Sequence, residues 1–440
     1  MTHLSPVEPL PREADVVIIG GGIVGCSAAL ELAKRGRSVV LLEKGRIAGE
    51  QSSRNWGWVR QNGRNLRELP LGIASRKIWE SLSDDIGADI GWMRSGNIDL
   101  AYSHDEMALF ERWRRRAKEL GLETELLDRG EVIEHLPGIA GGFVGGIYSP
   151  TDGQADPHRA TGAIAESAQT HGAEITERCA VEAIAVDRGR VTGVRTDRGE
   201  ISTSVVVVAA GAWSTRLLWP LGIRLPQRPI RNTVVATTPV APVSRTAVWA
   251  EGVAFRQDHT SRFILSGGGV SDTDVGLDMV RFIRHFARPV WDARRRGEVA
   301  LHLDRRTLAD LATMLPRAAA ARRPWEHVRN GEPPVNLRNA WKTLQNFRAV
   351  MPSLPPLGME RVWAGYIDYT PDAVPVIERL RSPEGLVITT GFSGHGFALG
   401  PIGGLLAAQL ATCETPELDL HPFRLSRFAE KDTHEGELHF

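Results

Sequence analysis

Two glycine-rich loops, one near each end of the chain, are where the sequence first offers chemistry. The first is Gly20-Gly21-Gly22-Ile23-Val24-Gly25, a G-x-G-x-x-G pattern, with Glu43 standing 18 residues beyond Gly25. Glycines so spaced permit a tight turn and let the backbone approach a pyrophosphate, whose charge then sits at a helix N-terminus. A carboxylate at the distance of Glu43 can accept the adenosine ribose hydroxyls, which favours FAD or NAD over a 2′-phosphorylated cofactor. In the following stretch, Gly49–Arg60, residues Ser52, Ser53, Arg54 and Asn55 suit a second phosphate contact. Trp56 and Trp58 lie there outside any helix or strand period. The other loop is Gly391-Phe392-Ser393-Gly394-His395-Gly396-Phe397. Aimed at a helix N-terminus, it would set a positive dipole end beside a polarisable ligand; beside a flavin, that dipole would stabilise negative charge on the reduced pyrimidine ring. His395 has two readings, a participant in catalysis or a loop histidine bonded to backbone.

These loops require elements to hold them. Ala14–Ile19 is a short β-branched apolar run, Ile23–Arg35 has helical spacing closed by Gly36, and Ser38–Leu42 is a second buried strand. Strand, glycine turn, helix and strand in succession make a βαβ unit, and continuous apolar strands predict a parallel sheet covered on both faces. Asp105–Leu120 and His158–His171 read as helices, and Glu174–Thr176, Val191–Thr196, Glu200–Ser204 and Val205–Ala210 as strands. Leu386–Thr390 reads as a further strand and Gly403–Ala411 as an apolar helix. Dinucleotide-type elements thus occur at both ends and in the middle. The expected class is α/β, with a discontinuous dinucleotide-binding domain from 14–95, 150–220 and 360–415. A substrate domain, 96–149 and 221–359, is interleaved with it and carries an Arg-rich helical insertion at about 278–348. Residues 1–13 and 416–440 read as tails.

Composition excludes several functions. The 440 residues hold 53 basic and 53 acidic side chains, a formal net charge of zero, which argues against electrostatic capture of nucleic acid. With 42% hydrophobic and 24% charged residues the chain is globular rather than disordered. No apolar run approaches the ~18 residues of a spanning helix, and residues 1–13 lack a signal peptide's apolar core. Cys26, Cys179 and Cys413 are odd in number and widely spaced, so a reducing cytoplasm is expected, with no disulfide framework and no metal. The segment Arg281–Arg348 holds 14 Arg and one Lys against six acids, about +9. That asymmetry fits either docking to an anionic membrane or acidic partner, or the solvated faces of amphipathic helices. His285, His302 and His327 lie within it without metal-ligand spacing.

Further motifs follow in a fixed order: Pro150–Pro157 (PTDGQADP), Val205–Trp213 (VVVVAAGAW), Trp363-Ala364-Gly365 and Thr370-Pro371-Asp372. Together with both glycine loops, Glu43 and Ser52–Asn55, this arrangement resembles the FAD-dependent amine and amino-acid oxidoreductases related to D-amino acid oxidase, glycine oxidase and sarcosine oxidase. The resemblance runs from about Asp15 to Ala411. The stretch Arg54–Arg60 is most similar to the large flavin subunit of heteromeric sarcosine oxidase. The resemblance implies a glutathione-reductase-like, Rossmann-type FAD domain with a mixed-sheet substrate domain over the flavin ring. It also implies hydride transfer from the carbon next to an amine nitrogen to flavin N5, giving an imine that hydrolyses. The residues expected at FAD are Gly20, Gly22, Gly25, Glu43, Lys44, Ser52, Ser53, Arg54, Asn55, Val181, Gly211, Gly394, His395, Gly396 and Phe397.

Departures from the family pattern sharpen the expectation. Where glycine oxidase and D-amino acid dehydrogenases read W-x-G-x-R, with an arginine that clamps the substrate carboxylate, this chain has Ile367. The flavin-linked cysteine of monomeric sarcosine oxidase falls at about the same point, so attachment there is excluded and FAD is expected to be non-covalent. The lysine that follows G-H-G-F in sarcosine oxidase is replaced by Ala398. Arg60 resembles the family's substrate-side arginine: either it holds a substrate carboxylate, where one is bound, through its bidentate fork, or it forms a structural ion pair. Tyr366 and Asp368, flanking Ile367, are expected to meet a polar or cationic group, and His395 or equally an ordered water to take the amine proton. The resulting expectation is an oxidoreductase for an amine or N-substituted amino acid, using oxygen or another electron acceptor. A D-amino acid dehydrogenase or oxidase, and a flavin subunit of a heteromeric complex, stay open, as does a homo-oligomer. A NAD-linked dehydrogenase would not need the second glycine loop, and a flavin enzyme of nucleic acid would need a basic groove that is not evident.

Overall fold

In the computed structural model the described residues are 9–267, 271–295, 299–302 and 329–433. A six-stranded sheet forms one half, in the order Val376–Arg379, Leu386–Thr390, Val206–Val208, Val16–Ile19, Val39–Leu42, Glu174–Thr176. Its pairings are parallel except at the edge strand Val376–Arg379. In register, Val17 faces Val40 on one side and Val206 on the other. Every residue of Val16–Ile19, Val39–Leu42 and Leu386–Thr390 is buried. The physical reason is that both faces are covered, so strands read as unbroken apolar runs rather than alternating ones. The helices Ile23–Lys34, Pro157–Thr170 and Gly396–Ala411 contribute to the core cluster that contains Val16, Ile18 and Leu41. The small sheet of Val181–Asp187, Arg190–Thr196 and Gly199–Ser202 packs into the cluster with Val17, Val40 and Val206.

The other half is a ten-stranded mixed sheet. Its longest pairing joins Arg228–Thr237 antiparallel to Met359–Tyr369, in a register that sets Ile230 opposite Ile367 and Asn232 opposite Gly365. The helix Leu337–Val350 packs Leu344 and Phe347 into a cluster with Phe255 and Phe263 of this sheet. A three-stranded ribbon, Trp58–Val59, Gly153–Gln154 and Met93–Arg94, fixes the chain leading out of the Ser-Arg-Asn loop.

Several expectations change. Residues 360–369, grouped by sequence with the dinucleotide-binding segments, hydrogen-bond instead within the ten-stranded sheet. The C-terminal apolar helix begins at Gly396, not Gly403, and continues through Pro401. Residues 416–433 are not a loose tail. Phe423 and Phe428 are buried, and the fully buried Arg427 donates to Asp372 through Nε at 2.8 Å and Nη2 at 3.2 Å. In the Arg-rich segment, the helices Leu277–Arg281 and Ile283–Arg295 precede the strand Val299–His302, which pairs parallel with Ser271–Asp274. Residues 303–328, with His327, lie outside the described residues. His302 bonds Asp272 at 2.7 Å and His285 packs against Phe282 and Phe428. Among the described residues no cluster of metal-ligating side chains occurs, and no helix is long and apolar enough to cross a membrane.

The helix Gly396–Ala411 approaches Ile23–Lys34 so closely that only hydrogen fits between them. A Cβ on Gly404 would lie 2.4 Å from Ser27 Cβ and 2.5 Å from the backbone nitrogen of Ala28. Gly162, in the helix Pro157–Thr170, has nothing within 4 Å of its would-be Cβ. Gly404→Ala should therefore lose stability by roughly 1–2 kcal/mol, overpacking outweighing the better helix propensity. Gly162→Ala should gain about 0.5–1 kcal/mol, since propensity acts there unopposed. Urea unfolding of both variants checks the opposite signs.

Candidate functional site

A cavity of about 540 Å³ lies between the two sheets, a volume ordinary for a cofactor or substrate site. One end is built by the first glycine loop. The chain leaves the strand Val16–Ile19 through Gly20, whose φ of +114° few other residues adopt, and enters the helix at Ile23. Gly20 and Gly25 serve each other's packing: a Cβ on Gly25 would lie 2.0 Å from the Gly20 carbonyl oxygen. Gly22 is different, because it borders the cavity and a Cβ there would project to 3.1 Å from Ser52 Oγ. Ser52 Oγ accepts from the Ile23 amide at 2.9 Å, and the helix has no acidic residue in its first turn, so its positive end stays available to an anion. Glu43 accepts from the Gly21 and Gly45 amides, each at 2.7 Å. Those bonds fix the carboxylate at the cavity wall, and each oxygen retains a lone pair for a further donor. Lys44, beside it, pairs with Glu50 and lies over the Trp213 ring at 4.8 Å. This set fits a dinucleotide: a cradle that a single Cβ would fill, a helix N-terminus, and a buried acid for hydroxyls.

The middle of the cavity is closed by Asp368. Its Oδ2 accepts from the Gly391 amide at 2.8 Å, and from the Phe392 amide, Thr390 Oγ1 and Gln227 Nε2, each at 3.4 Å. Burial pushes its pKa up to about 6, against those donors, which lower it. Asp368 is thus a structural tie rather than the waiting partner of a cationic substrate group, because the carboxylate oxygen already serves four protein donors. Tyr366 and Ile367 line the cavity beside it, and a Cβ on Gly394 would meet the Ile367 side chain at 3.6 Å.

The far end is polar, aromatic and buried. His395 Nδ1 lies 2.8 and 2.9 Å from the two oxygens of Glu68, which is 1% exposed. A carboxylate only accepts, so the neutral ring carries its proton on Nδ1 and keeps Nε2 as acceptor. Burial holds the His395 pKa below its usual value, the cation of Arg64 adds to that, and Glu68 opposes it. Arg60 is also buried, but its Nε donates to the Asn62 carbonyl at 2.7 Å and its Nη2 lies 3.4 Å from Asp99 Oδ2. Arg60 thus braces its own loop through Nε and faces Asp99 with Nη2. The Arg60 guanidinium lies 5.2 Å from the Trp249 ring and 5.8 Å from that of Trp58, while Trp56 meets both tryptophans at 5.2–5.8 Å.

Of the other expected residues, Val181, Gly211, Gly394, Gly396 and Phe397 line the cavity; Gly25 and Ser53 do not. Ser53 Oγ instead donates to the Glu50 carbonyl at 3.4 Å. Arg54 and Asn55 border the cavity, but their polar atoms hold protein. Arg54 donates to the Ala364 and Gly49 carbonyls and to Glu332, and Asn55 brackets a turn between Ser52 O and Gly57 N. In this arrangement both side chains brace the loop. Sequence reasoning missed Glu68, Arg64 and Trp249. The first two follow Arg60 in the run RQNGRNLRE and Trp249 arrives from a distant strand, so no local pattern marked them.

Comparison with known proteins agrees with this geometry. A family model described as FAD dependent oxidoreductase matches residues 15–410. The chain is 26% identical over 426 residues to glycine oxidase of Geobacillus kaustophilus, covering 95% of this chain and 98% of that protein. It is 26% identical over 432 residues to human sarcosine dehydrogenase, covering 96% of this chain and 42% of that protein. The chain spans less than half the length of the mammalian relatives it matches. Among solved structures, L-amino acid deaminase from Proteus myxofaciens in complex with anthranilate superposes with a TM-score of 0.89 at 26% identity, covering 96% of this chain and 95% of that one.

The tie at Asp368 gives a prediction. Asp368→Ala strands four donors and should cost about 2–3 kcal/mol. The native carboxyl binds its proton more tightly than an unfolded one, whose value is 3.8, so its contribution to stability falls as pH rises from there to about 6. Asp368→Asn, which keeps an acceptor without the charge, should flatten that part of the slope. Urea unfolding at a series of pH values reads both.

Proposed function

Because the chain belongs to the FAD dependent oxidoreductase family, we propose that it oxidises an amino acid or N-alkylated amino acid at the carbon next to nitrogen. The observation that carries this reading is His395, which Glu68 orients and which lines the same cavity as the dinucleotide cradle, together with Arg60 and Arg64. FAD, when bound, supplies the acceptor for a hydride from that carbon. The Gly20–Gly25 turn and Glu43 would hold the dinucleotide, and Lys44, Val181, Gly211, Gly394, Gly396 and Phe397, which line the same cavity, would complete its site. No protein bond to FAD is proposed at Ile367, whose side chain has no nucleophile.

The remaining work falls to residues of the chain. Oxidation of a CH–NH unit to an imine releases a hydride and a proton, and hydride leaves readily only from a neutral amine. His395 Nε2 takes the proton from the amine, and Glu68, by fixing Nδ1–H, keeps Nε2 as the acceptor and stabilises the charged ring that results. Glu68 is in this sense a positioning residue. The helix Gly396–Ala411, which starts beside His395, directs its positive end to where negative charge accumulates. The buried Trp58 and the half-buried Trp56 and Trp249 limit the access of water to that end. The imine hydrolyses after release, and the electrons would pass to oxygen or another acceptor.

The purified protein is expected to be yellow, to be bleached anaerobically by an amino or N-methylamino acid, and to release its flavin on acid precipitation. A panel of glycine, sarcosine, D- and L-amino acids and N-methyl derivatives makes the test, and failure of every member to bleach the flavin would refute the reading. A separate expectation concerns pH. The acid limb of kcat/KM should lie below 6.5, since the ring must be neutral to accept and its pKa is lowered. Glu68→Gln removes the one opposing influence, so the limb should move to still lower pH, while His395→Asn should abolish it.

A further inference from the structure

Arg60 and Arg64 both line the cavity, one helical turn apart in sequence, yet they stand in different electrostatic situations. Arg60 has Asp99 and the Asn62 carbonyl. Arg64 makes a single long hydrogen bond through Nε, to the Arg60 carbonyl at 3.5 Å, and among the described residues no carboxylate lies within ion-pair distance of it. Nearby acids are engaged elsewhere: Glu68 with His395, and Asp152 with the Gln61 and Asn62 amides at 2.9 and 3.2 Å. A guanidinium in a cavity without a counter-ion is costly, and a bound carboxylate would remove that cost while meeting a fork of two donors. Burial and the neighbouring Arg60 bring the Arg64 pKa down to about 10, still charged at neutral pH. Trp56 and Trp249 present half-buried rings to the same cavity, their centroids 5.8 Å apart, and the Arg60 guanidinium lies 5.2 Å from the Trp249 ring.

We propose that Arg64, not Arg60, receives the substrate carboxylate, and that the Trp56–Trp249 wall receives an apolar, ring-sized side chain. This rests on the amino-acid oxidation proposed above and names its substrate class as α-amino acids with large apolar side chains. Such a side chain would stack on or meet the edge of the indoles, as aromatic pairs do. Arg60 then acts at one remove, as a fixed cation whose repulsion keeps Arg64 turned towards an anion.

The test uses binding to the FAD-loaded protein, so that it does not depend on turnover. Phenylacetate and its neutral counterpart 2-phenylethanol are titrated calorimetrically and by quenching of tryptophan fluorescence. Arg64→Ala should weaken phenylacetate roughly 10- to 100-fold and leave 2-phenylethanol within about twofold. Arg64→Met, which keeps the apolar stem, should do the same if Arg64→Ala folds poorly. Trp249→Ala should weaken both ligands about five- to tenfold. Unchanged phenylacetate affinity in either flavin-replete Arg64 variant would overturn the anchor, and unchanged affinity for both ligands in Trp249→Ala would overturn the wall. If binding follows these expectations while no amino acid bleaches the flavin, the anion site stands and the oxidation reading falls. If bleaching persists with unaltered KM in Arg64→Ala, oxidation stands and the anchor falls.

Discussion

One buried carboxylate joins the two halves of this molecule at the cavity. Asp368 belongs to the long strand of the ten-stranded sheet, while three of the donors it serves, at Thr390, Gly391 and Phe392, end a strand of the six-stranded sheet and begin the loop to the helix Gly396–Ala411. The Asp368 amide donates to Gln51 Oε1 at 3.3 Å, and its carbonyl accepts from Ser393 at 3.2 Å, so the short helix after the phosphate loop is held as well. An anion in this position is costly to bury and is tolerated because directed N–H and O–H groups replace its water. Position of the second glycine loop, and with it of His395, depends on that tie.

A second group of buried charges shapes the polar end. Asp152 accepts from Gln61 and Asn62, Asn62 donates to Asp99, and Asp99 faces Arg60. Burial raises both acids, to about 6 for Asp99, which marks how little solvent reaches them. Removing one member would leave uncompensated charge in a region of low dielectric, a larger loss than the pair itself contributes to stability. The effect on function is indirect: a rigid run from Arg60 to Glu68 presents Arg64 and Glu68 at fixed positions. The buried pair of Arg427 and Asp372 plays a comparable part under the Thr-Pro-Asp turn, where the chain's last described segment packs back onto the sheet.

Charge placement also separates positioning from reaction. His395 needs a carboxylate for orientation and a site dry enough to keep it neutral, and Glu68 with the surrounding burial meets both needs. The nearby Arg64 guanidinium lowers the same pKa.

The sequence by itself determined the elements that depend on local pattern. Continuous apolar runs at Val16–Ile19, Val39–Leu42 and Leu386–Thr390 can be satisfied only in a sheet covered on both faces, and the Gly20–Gly25 turn with Glu43 is legible because backbone approach admits only certain residues at certain spacings. Tertiary structure decided what depends on partners distant in the chain. The sheet to which 360–369 belongs was settled by pairing with Arg228–Thr237, more than a hundred residues away. Whether Arg54, Arg60 and Asp368 meet a ligand or hold the protein turned on Ala364, Asp99 and Gly391, none of which a residue's own neighbourhood reveals. Glu68, Arg64 and Trp249 were silent in sequence for the same reason, since a charge or an indole acquires its chemistry from burial and from what it faces, and folding alone supplies both.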